Sequence, residues 1–276
     1  MINKQLLIRR ASFFVYFAVA FLVFLLVLFP FDLVKAKLES EVRQRTMVEL
    51  NISRISPRFF NSFLLSDVVI SDQTGKVLFE SPSVRTTISL FSLLRGNVAA
   101  DLKAKAYGGD LLLKVQQAPG HQYVLCDANG LDIGSYQLLK NLGLKLSGKL
   151  GGNFEVTNDT GKGRIWLKSL AFRELKIKGF LVPDIDFDEC WIEADLKGDR
   201  LTIKKLEMNG KELKIRGLGD IVLRERGTIN LVVKLKPSEH LAQEQAGILA
   251  LLKNRDAEGY YQFSLGGTLS DPIPRL

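Results

Sequence analysis

From Val48 onward, apolar and polar residues alternate with a period of two. Val98, Ala100, Leu102, Ala104 and Ala106 alternate with Ala99, Asp101, Lys103, Lys105 and Tyr107, and Leu111, Leu113 and Val115 continue the pattern after Gly108-Gly109-Asp110. Leu142, Leu144, Leu146, Leu150, Phe154 and Val156 all occupy even positions, with Gly143, Lys145, Ser147, Lys149, Gly151, Asn153 and Glu155 between them. Leu175 and Ile177 alternate with Lys176 and Lys178; Leu201 and Ile203 face one way, as do Ile229, Leu231, Val233 and Leu235. Successive strand side chains point to opposite faces, so the pattern predicts half-exposed antiparallel strands with one apolar face. Turn signals punctuate the runs at Gln73-Thr74-Gly75-Lys76, Gly108-Gly109, Asn158-Asp159-Thr160-Gly161, Lys197-Gly198-Asp199, Asn209-Gly210 and Arg226-Gly227. Asn209-Gly210 predicts a two-residue type I′ hairpin, because both residues tolerate a positive φ.

Helical signals are few. Gly134–Asn141 is a short candidate, and Leu90–Leu94 predicts a single turn. Ser238–Leu252 is a longer candidate, with Ser238 as cap and apolar Leu241, Ile248, Leu249 and Leu252. The apolar faces of roughly a dozen strands would be buried by a sandwich, a closed barrel or a folded sheet around a groove. Periodicity does not separate these three. The candidate groove-lining residues are Leu144, Leu146, Leu150, Phe154 and Val156 on one strand and Ile229, Leu231, Val233 and Leu235 on another. Gly148 and Gly152 fall on the same apolar face, which suits a strongly curved sheet.

One segment breaks the alternation. Ala11–Phe31 contains 21 residues without a charge, enough as a helix to cross roughly 30 Å of hydrocarbon. A cleaved secretory signal is the rival reading, but the run exceeds the usual ~7–15-residue apolar region and no small-x-small cleavage site follows it. Lys4, Arg9 and Arg10 precede the span without an acid, favouring a cytoplasmic N-terminus. Lys35, Lys37, Arg43 and Arg45 follow it, but a long downstream domain translocates largely regardless of charge. The expected organisation is a cytoplasmic tail (1–10), a transmembrane signal-anchor helix (11–31), a charged helical stalk (32–47) and a periplasmic β domain (48–276).

Composition narrows the chemistry. Of 276 residues, 46% are hydrophobic and 25% charged, which excludes a disordered chain. The formal net charge is +8, partly from the three cations before the span, so the bias is too mild to argue nucleic-acid binding. With only Cys126, Cys190, His121 and His240 of their types, a Cys/His zinc cluster and a disulfide-stapled mini-fold are ruled out. Cys126 and Cys190 read first as two buried thiols, with a disulfide between them as the alternative. Gly143–Leu150 approaches a phosphate-binding loop, but Leu150 stands where a Mg²⁺-binding hydroxyl is needed, and the segment alternates as a strand. Asp184, Asp186, Asp188 and Asp195 have calcium-loop spacing, but Glu189 replaces the glycine of the sharp turn, so an acidic strand face explains them better. Lys145, Lys149, Lys176 and Lys178 read as a solvated face before a headgroup-binding one. No nucleophile–base pair emerges, so neither catalytic residues nor cofactors are expected.

The order of features resembles a known family. After the anchor and stalk come Val48-Glu49-Leu50-Asn51-Ile52-Ser53-Arg54-Ile55, Leu65-Ser66-Asp67-Val68-Val69-Ile70 and Gly75-Lys76-Val77-Leu78-Phe79. Leu93-Leu94-Arg95-Gly96, Gly108-Gly109-Asp110-Leu111 and a terminal Gly266-Gly267-Thr268-Leu269-Ser270-Asp271-Pro272 follow. Nearly the whole chain resembles the AsmA/TamB-like superfamily of envelope proteins. In length and single-anchor layout it is similar to the type II secretion system protein N (general secretion pathway protein N) family. The resemblance implies a mainly β protein, a curved antiparallel meander folded like a taco around an apolar groove, with few short helices. It also implies a non-enzymatic inner-membrane component whose partners are other type II secretion subunits. The alternative is a lipid-binding or lipid-transfer module holding acyl chains in the groove; neither reading involves nucleic acid.

Overall fold

The computed structural model describes residues 30–46, 48–59, 61–137, 139, 145–174, 176–177, 180–181, 183–224, 227–250, 252, 255–268 and 272–275. The expected span lies outside them but for its last two positions, as does Leu144. No helix among the described residues is long and apolar enough to cross a membrane.

Helix α1 (Phe31–Arg45) leads into β1 (Val48–Phe59), β2 (Ser62–Asp72) and β3 (Val77–Ile88). A five-residue helix, α2 (Leu90–Leu94), precedes β4 (Val98–Ala106), β5 (Gly109–Ala118) and β6 (His121–Asp132). After a 3₁₀ turn (Ile133–Ser135) come β7 (Lys145–Thr157), β8 (Thr160–Arg173), the short β9 (Lys176–Ile177) and β10 (Phe180–Leu181), and β11 (Ile185–Lys197). The chain continues through β12 (Arg200–Asn209), β13 (Leu213–Val222), β14 (Ile229–Pro237), α3 (Glu239–Glu244), α4 (Ala246–Leu249), β15 (Tyr261–Gly267) and β16 (Pro272–Arg275). All strands except the β9–β10 hairpin form one 14-stranded sheet in chain order. Each pairs antiparallel with its neighbours, and β1 and β16 are the two free edges. The sheet is therefore open: neither a closed barrel nor two separate sheets.

Two expectations change in detail. The β12–β13 hairpin forms, but the chain reverses through Lys211-Glu212, with the Gly210 N–H donating to the Leu213 carbonyl at 3.0 Å. Neither Asn209 nor Gly210 has a positive φ. Glycine is needed there for another reason: a Cβ on Gly210 would lie 2.2 Å from the Asp186 carbonyl oxygen of β11. The type I′ geometry appears instead between β4 and β5, where Tyr107 (φ 50°) and Gly108 (φ 71°) link the Ala106–Gly109 pair. The expected Ser238–Leu252 helix is broken into α3 and α4. Ser238 does cap α3, its Oγ accepting the Leu241 N–H at 3.1 Å.

The paired register puts apolar and small residues opposite one another across the sheet. One row runs Ile55, Leu65, Val84, Ala104, Leu111, Ala128, Gly152, Ile165, Ile192, Leu206, Gly217, Val233, Phe263, from β1 to β15 without a polar side chain. Directly opposed residues share a face, so the chain has one continuous apolar side. Alternation is not kept along every strand. In β8 the apolar parity changes between Leu167 and Leu170, across Ser169 (φ 51°), and in β11 it changes between Phe187 and Cys190. An inserted residue in neighbouring strands at the same level kinks the sheet while keeping its apolar side continuous.

Both edges are protected. Helix α1 lies antiparallel beside β1: Arg43 faces Glu49 (3.8 Å), and the Phe31 ring lies 6.1 Å from Phe63. Between them the Glu39 carboxylate accepts the Ile52 N–H at 3.0 Å, occupying a donor of the free edge. At the other edge, Pro272 and Pro274 of β16 carry no N–H to offer. The expected stalk is thus a helix, but a docked one.

Candidate functional site: the apolar face of the sheet

The apolar face is buried unevenly. At one end, Ile133, Leu170, Ile185, Phe187 and Cys190 form a closed cluster, with Phe187 only 2% exposed. Leu139, Leu146, Leu150, Phe172, Met208, Leu213 and Ile215 pack around it. A segment lies across this end as a cover. The Asp132 carboxylate accepts the Gly134 N–H at 3.0 Å and starts the 3₁₀ turn; Ile133 then drops into the cluster. Farther along, the Tyr136 hydroxyl donates to the Leu78 carbonyl on β3 at 2.8 Å. Its ring meets Tyr107 edge-on at 5.4 Å, and Tyr107 meets Phe79 at 6.1 Å. Of these side chains Ile133 is buried, worth about 1.5–3 kcal/mol, while Tyr136 and Tyr107 stay half-buried.

Toward the other end burial is less complete: Ala194 and Ile203 are buried there, but the side chains around them are not. Phe154, Val156, Ile229, Leu231 and Val233 are half-buried, and Ile165, opposite Gly152 and Ile192, is 38% exposed, whereas the half-buried Leu235 pairs with Ile215 at the sealed end. The structure brings Leu146, Leu150, Phe154 and Val156 onto one face with Ile229, Leu231, Val233 and Leu235. The first four split, Leu146 and Leu150 toward the sealed cluster and Phe154 and Val156 toward the open half. The Phe154 ring lies against Gly163, where a Cβ would be 2.0 Å from its Cδ2. A second, smaller cluster of Ile52, Val68, Val84 and Ala104 closes the β1–β4 side.

The candidate disulfide is corrected: both cysteines are free thiols. Cys126 is on β6 and Cys190 on β11, with β7 and β8 between them. Three interstrand spacings of about 4.8 Å far exceed the ~7 Å limit for a bridge. Both thiols belong to the apolar side, and burial pushes Cys190 from 9.0 up to about 11. Burial first, then the neighbouring Asp127 charge, also raises Cys126. Neither is poised as a nucleophile.

The charged groups lie elsewhere. Asp186, Asp188 and Asp195 sit on β11, alternating with its inward residues. Arg173 contacts Asp186 (2.6 Å) and Asp184 (3.7 Å), and Lys204 pairs with Asp195 (2.9 Å). No group of three or more metal-ligating side chains occurs among the described residues. Lys145 pairs with Glu174 (2.5 Å) and Lys149 faces Asp132 (3.8 Å). His121 opens β6 at the Pro119-Gly120 turn; the His240 ring lies 3.9 Å from Glu212 and 3.7 Å from Glu244, facing carboxylates and not a nucleophile. The arrangement offers hydrophobic contact without directed polar groups, which is the chemistry of holding hydrocarbon.

Sequence periodicity misses the members of the face that follow a parity change: Leu170, Cys190, Ile192, Leu206 and Met208 among them. The signal is there, as two consecutive polar residues inside an alternating run: Lys168-Ser169, Asp188-Glu189 and Lys204-Lys205. Comparisons with protein-family models, curated proteins and solved structures give no match to this chain.

Proposed function

We propose that this chain is a non-enzymatic component of the type II secretion system, anchored in the inner membrane by residues 11–31 with residues 48–276 in the periplasm. The reading rests on the resemblance to the type II secretion system protein N family. A single antiparallel meander that begins directly after a docked helix, with one continuous apolar side, supports it, because that is the taco-like architecture the resemblance implies. Function then resides in contacts of the sheet with other secretion subunits. The test is deletion of the gene in its native host with cross-linking of the tagged full chain. Exoproteins retained in the periplasm and capture of secretion subunits are expected; normal export with none captured would defeat the proposal. An alkaline phosphatase fusion after Leu276 should be active, and an inactive fusion would overturn the orientation.

A second reading, an AsmA-like lipid-binding module, is favoured by one observation: the half-exposed hydrocarbon surface around Ile165 and Phe154. Mass spectrometry of the purified full chain should then find phospholipid in wild type and less in Ile165→Asp. Its absence from wild type would leave only the secretion-subunit role.

A further inference from the structure

Four large apolar side chains crowd a five-residue helix and face solvent: Leu90, Phe91, Leu93 and Leu94, the last 86% exposed. The Ser89 hydroxyl accepts the Ser92 N–H (3.3 Å), and the Arg95 guanidinium lies 4.0 Å from the Phe91 ring centroid. The helix is thus a shaped tip between adjacent strands. Val98, which opens β4, extends the apolar surface.

The tip lies at the end of the sheet opposite the sealed cluster, and α1 begins at that same end. The Ile88 N–H, just before α2, donates to the Asn61 carbonyl of the β1–β2 turn at 2.8 Å. Phe63, one strand residue farther, faces the Phe31 ring at 6.1 Å. The last residue of the expected anchor, Phe31, together with the apolar tip and the open half of the apolar face, therefore lies at one end. Charge follows the same geography. Arg54, Arg58, Arg85 and Arg95 are all exposed on this side, with one exposed acid, Asp101 opposite Thr87, among them.

We propose that the tip carrying α2 inserts into the surface of an anionic phospholipid bilayer, the one the anchor enters. This rests on the anchored reading above. A convex cluster of Leu and Phe flanked by arginines matches the interfacial zone, where apolar side chains sink about 5–10 Å below the headgroups and cations meet lipid phosphates. Docked in this way, the open half of the apolar face meets the bilayer directly, and the sealed half points away. Acyl chains could then pass onto the sheet without crossing water, whereas entry from the far end is blocked by Ile133 and Tyr136.

The test uses the full chain in vesicles of phosphatidylethanolamine and phosphatidylglycerol. Single Leu94→Cys, Leu33→Cys and Lys211→Cys variants carry a nitrobenzoxadiazole label, and the parent chain treated identically sets the baseline for Cys126 and Cys190. The probe at 94 should shift to the blue and be quenched by lipids with a nitroxide near the headgroup. The probe at 211, at the sealed end, should stay water-exposed and unquenched. The probe at 33 reports the anchor's entry. Quenching at 33 without quenching at 94 overturns the proposal while leaving the anchor intact, and would direct the tip to a protein partner. A chain that does not float with the vesicles overturns both. Equal quenching at 94 in pure phosphatidylcholine overturns the role of the arginines.

Discussion

Gly163→Ala would test the inner face at its least forgiving contact. Gly163 on β8 is paired with Phe154 on β7, and a methyl there would lie 2.0 Å from Cδ2 and 2.7 Å from Cε2 of the ring. Gly163 has no positive φ, so the backbone would accept alanine without strain. Taken alone, exchanging glycine for alanine within a strand gains about 0.5–1 kcal/mol. The methyl must displace the ring, however, and overpacking costs about 1–3 kcal/mol. The net expectation is a loss of about 1–2 kcal/mol in the wild-type background. In a Phe154→Ala background the ring is gone, and the same methyl should be neutral or gain about 0.5 kcal/mol. The coupling energy is then about 2 kcal/mol, within the range for residues in contact. Urea unfolding of the four proteins, read by tryptophan fluorescence, measures it. The reporters are well placed: Trp166 and Trp191 pair on the outer side, 6.2 Å apart, near Gly163. If Gly163→Ala costs the same with and without the Phe154 ring, the ring does not lie on Gly163, and the face is not arranged as described.

Three further outcomes are expected. Phe187→Asp, at the sealed end, should cost about 3–5 kcal/mol by burying an unpaired carboxylate, whereas Ile165→Asp should cost under about 1.5 kcal/mol because its carboxylate reaches water; equal costs in thermal melts would deny the gradient. The folded Cys190 thiol holds its proton up to about 11 against an ordinary 9.0, so the native state binds more protons between those values and stability should fall as pH rises through that window. Cys190→Ala should flatten that slope, and an unchanged slope would assign it to other groups. Glu39→Ala removes the acceptor of the Ile52 N–H and should cost about 1–2 kcal/mol, with concentration-dependent association through the β1 edge; sedimentation showing an unchanged monomer would mean that the edge is protected otherwise.

Local geometry follows from neighbouring residues alone. A strand's Cβ atoms alternate for steric reasons confined to a few residues, so the common face of Leu146, Leu150, Phe154 and Val156 was legible from parity alone. The same holds for Ile229 to Leu235 and for the Ser238 cap, whose partner is three residues away. Tertiary structure decided whatever depends on which strands become neighbours. Cys126 and Cys190 both point to the apolar side, but two intervening strands keep them apart, and no local pattern encodes that distance. Gly210 serves the approach of the Asp186 carbonyl from another strand, so its turn signal pointed to the wrong pair of residues. The parity changes at Ser169 and Glu189 show in the sequence only as paired polar residues, because one strand's bulge acquires meaning only against its neighbour's register. Most consequentially, the docking of α1 along β1 places Phe31, α2 and the open half of the face at one end. Helix and strand propensities set each element's length, but only packing between them sets which ends coincide.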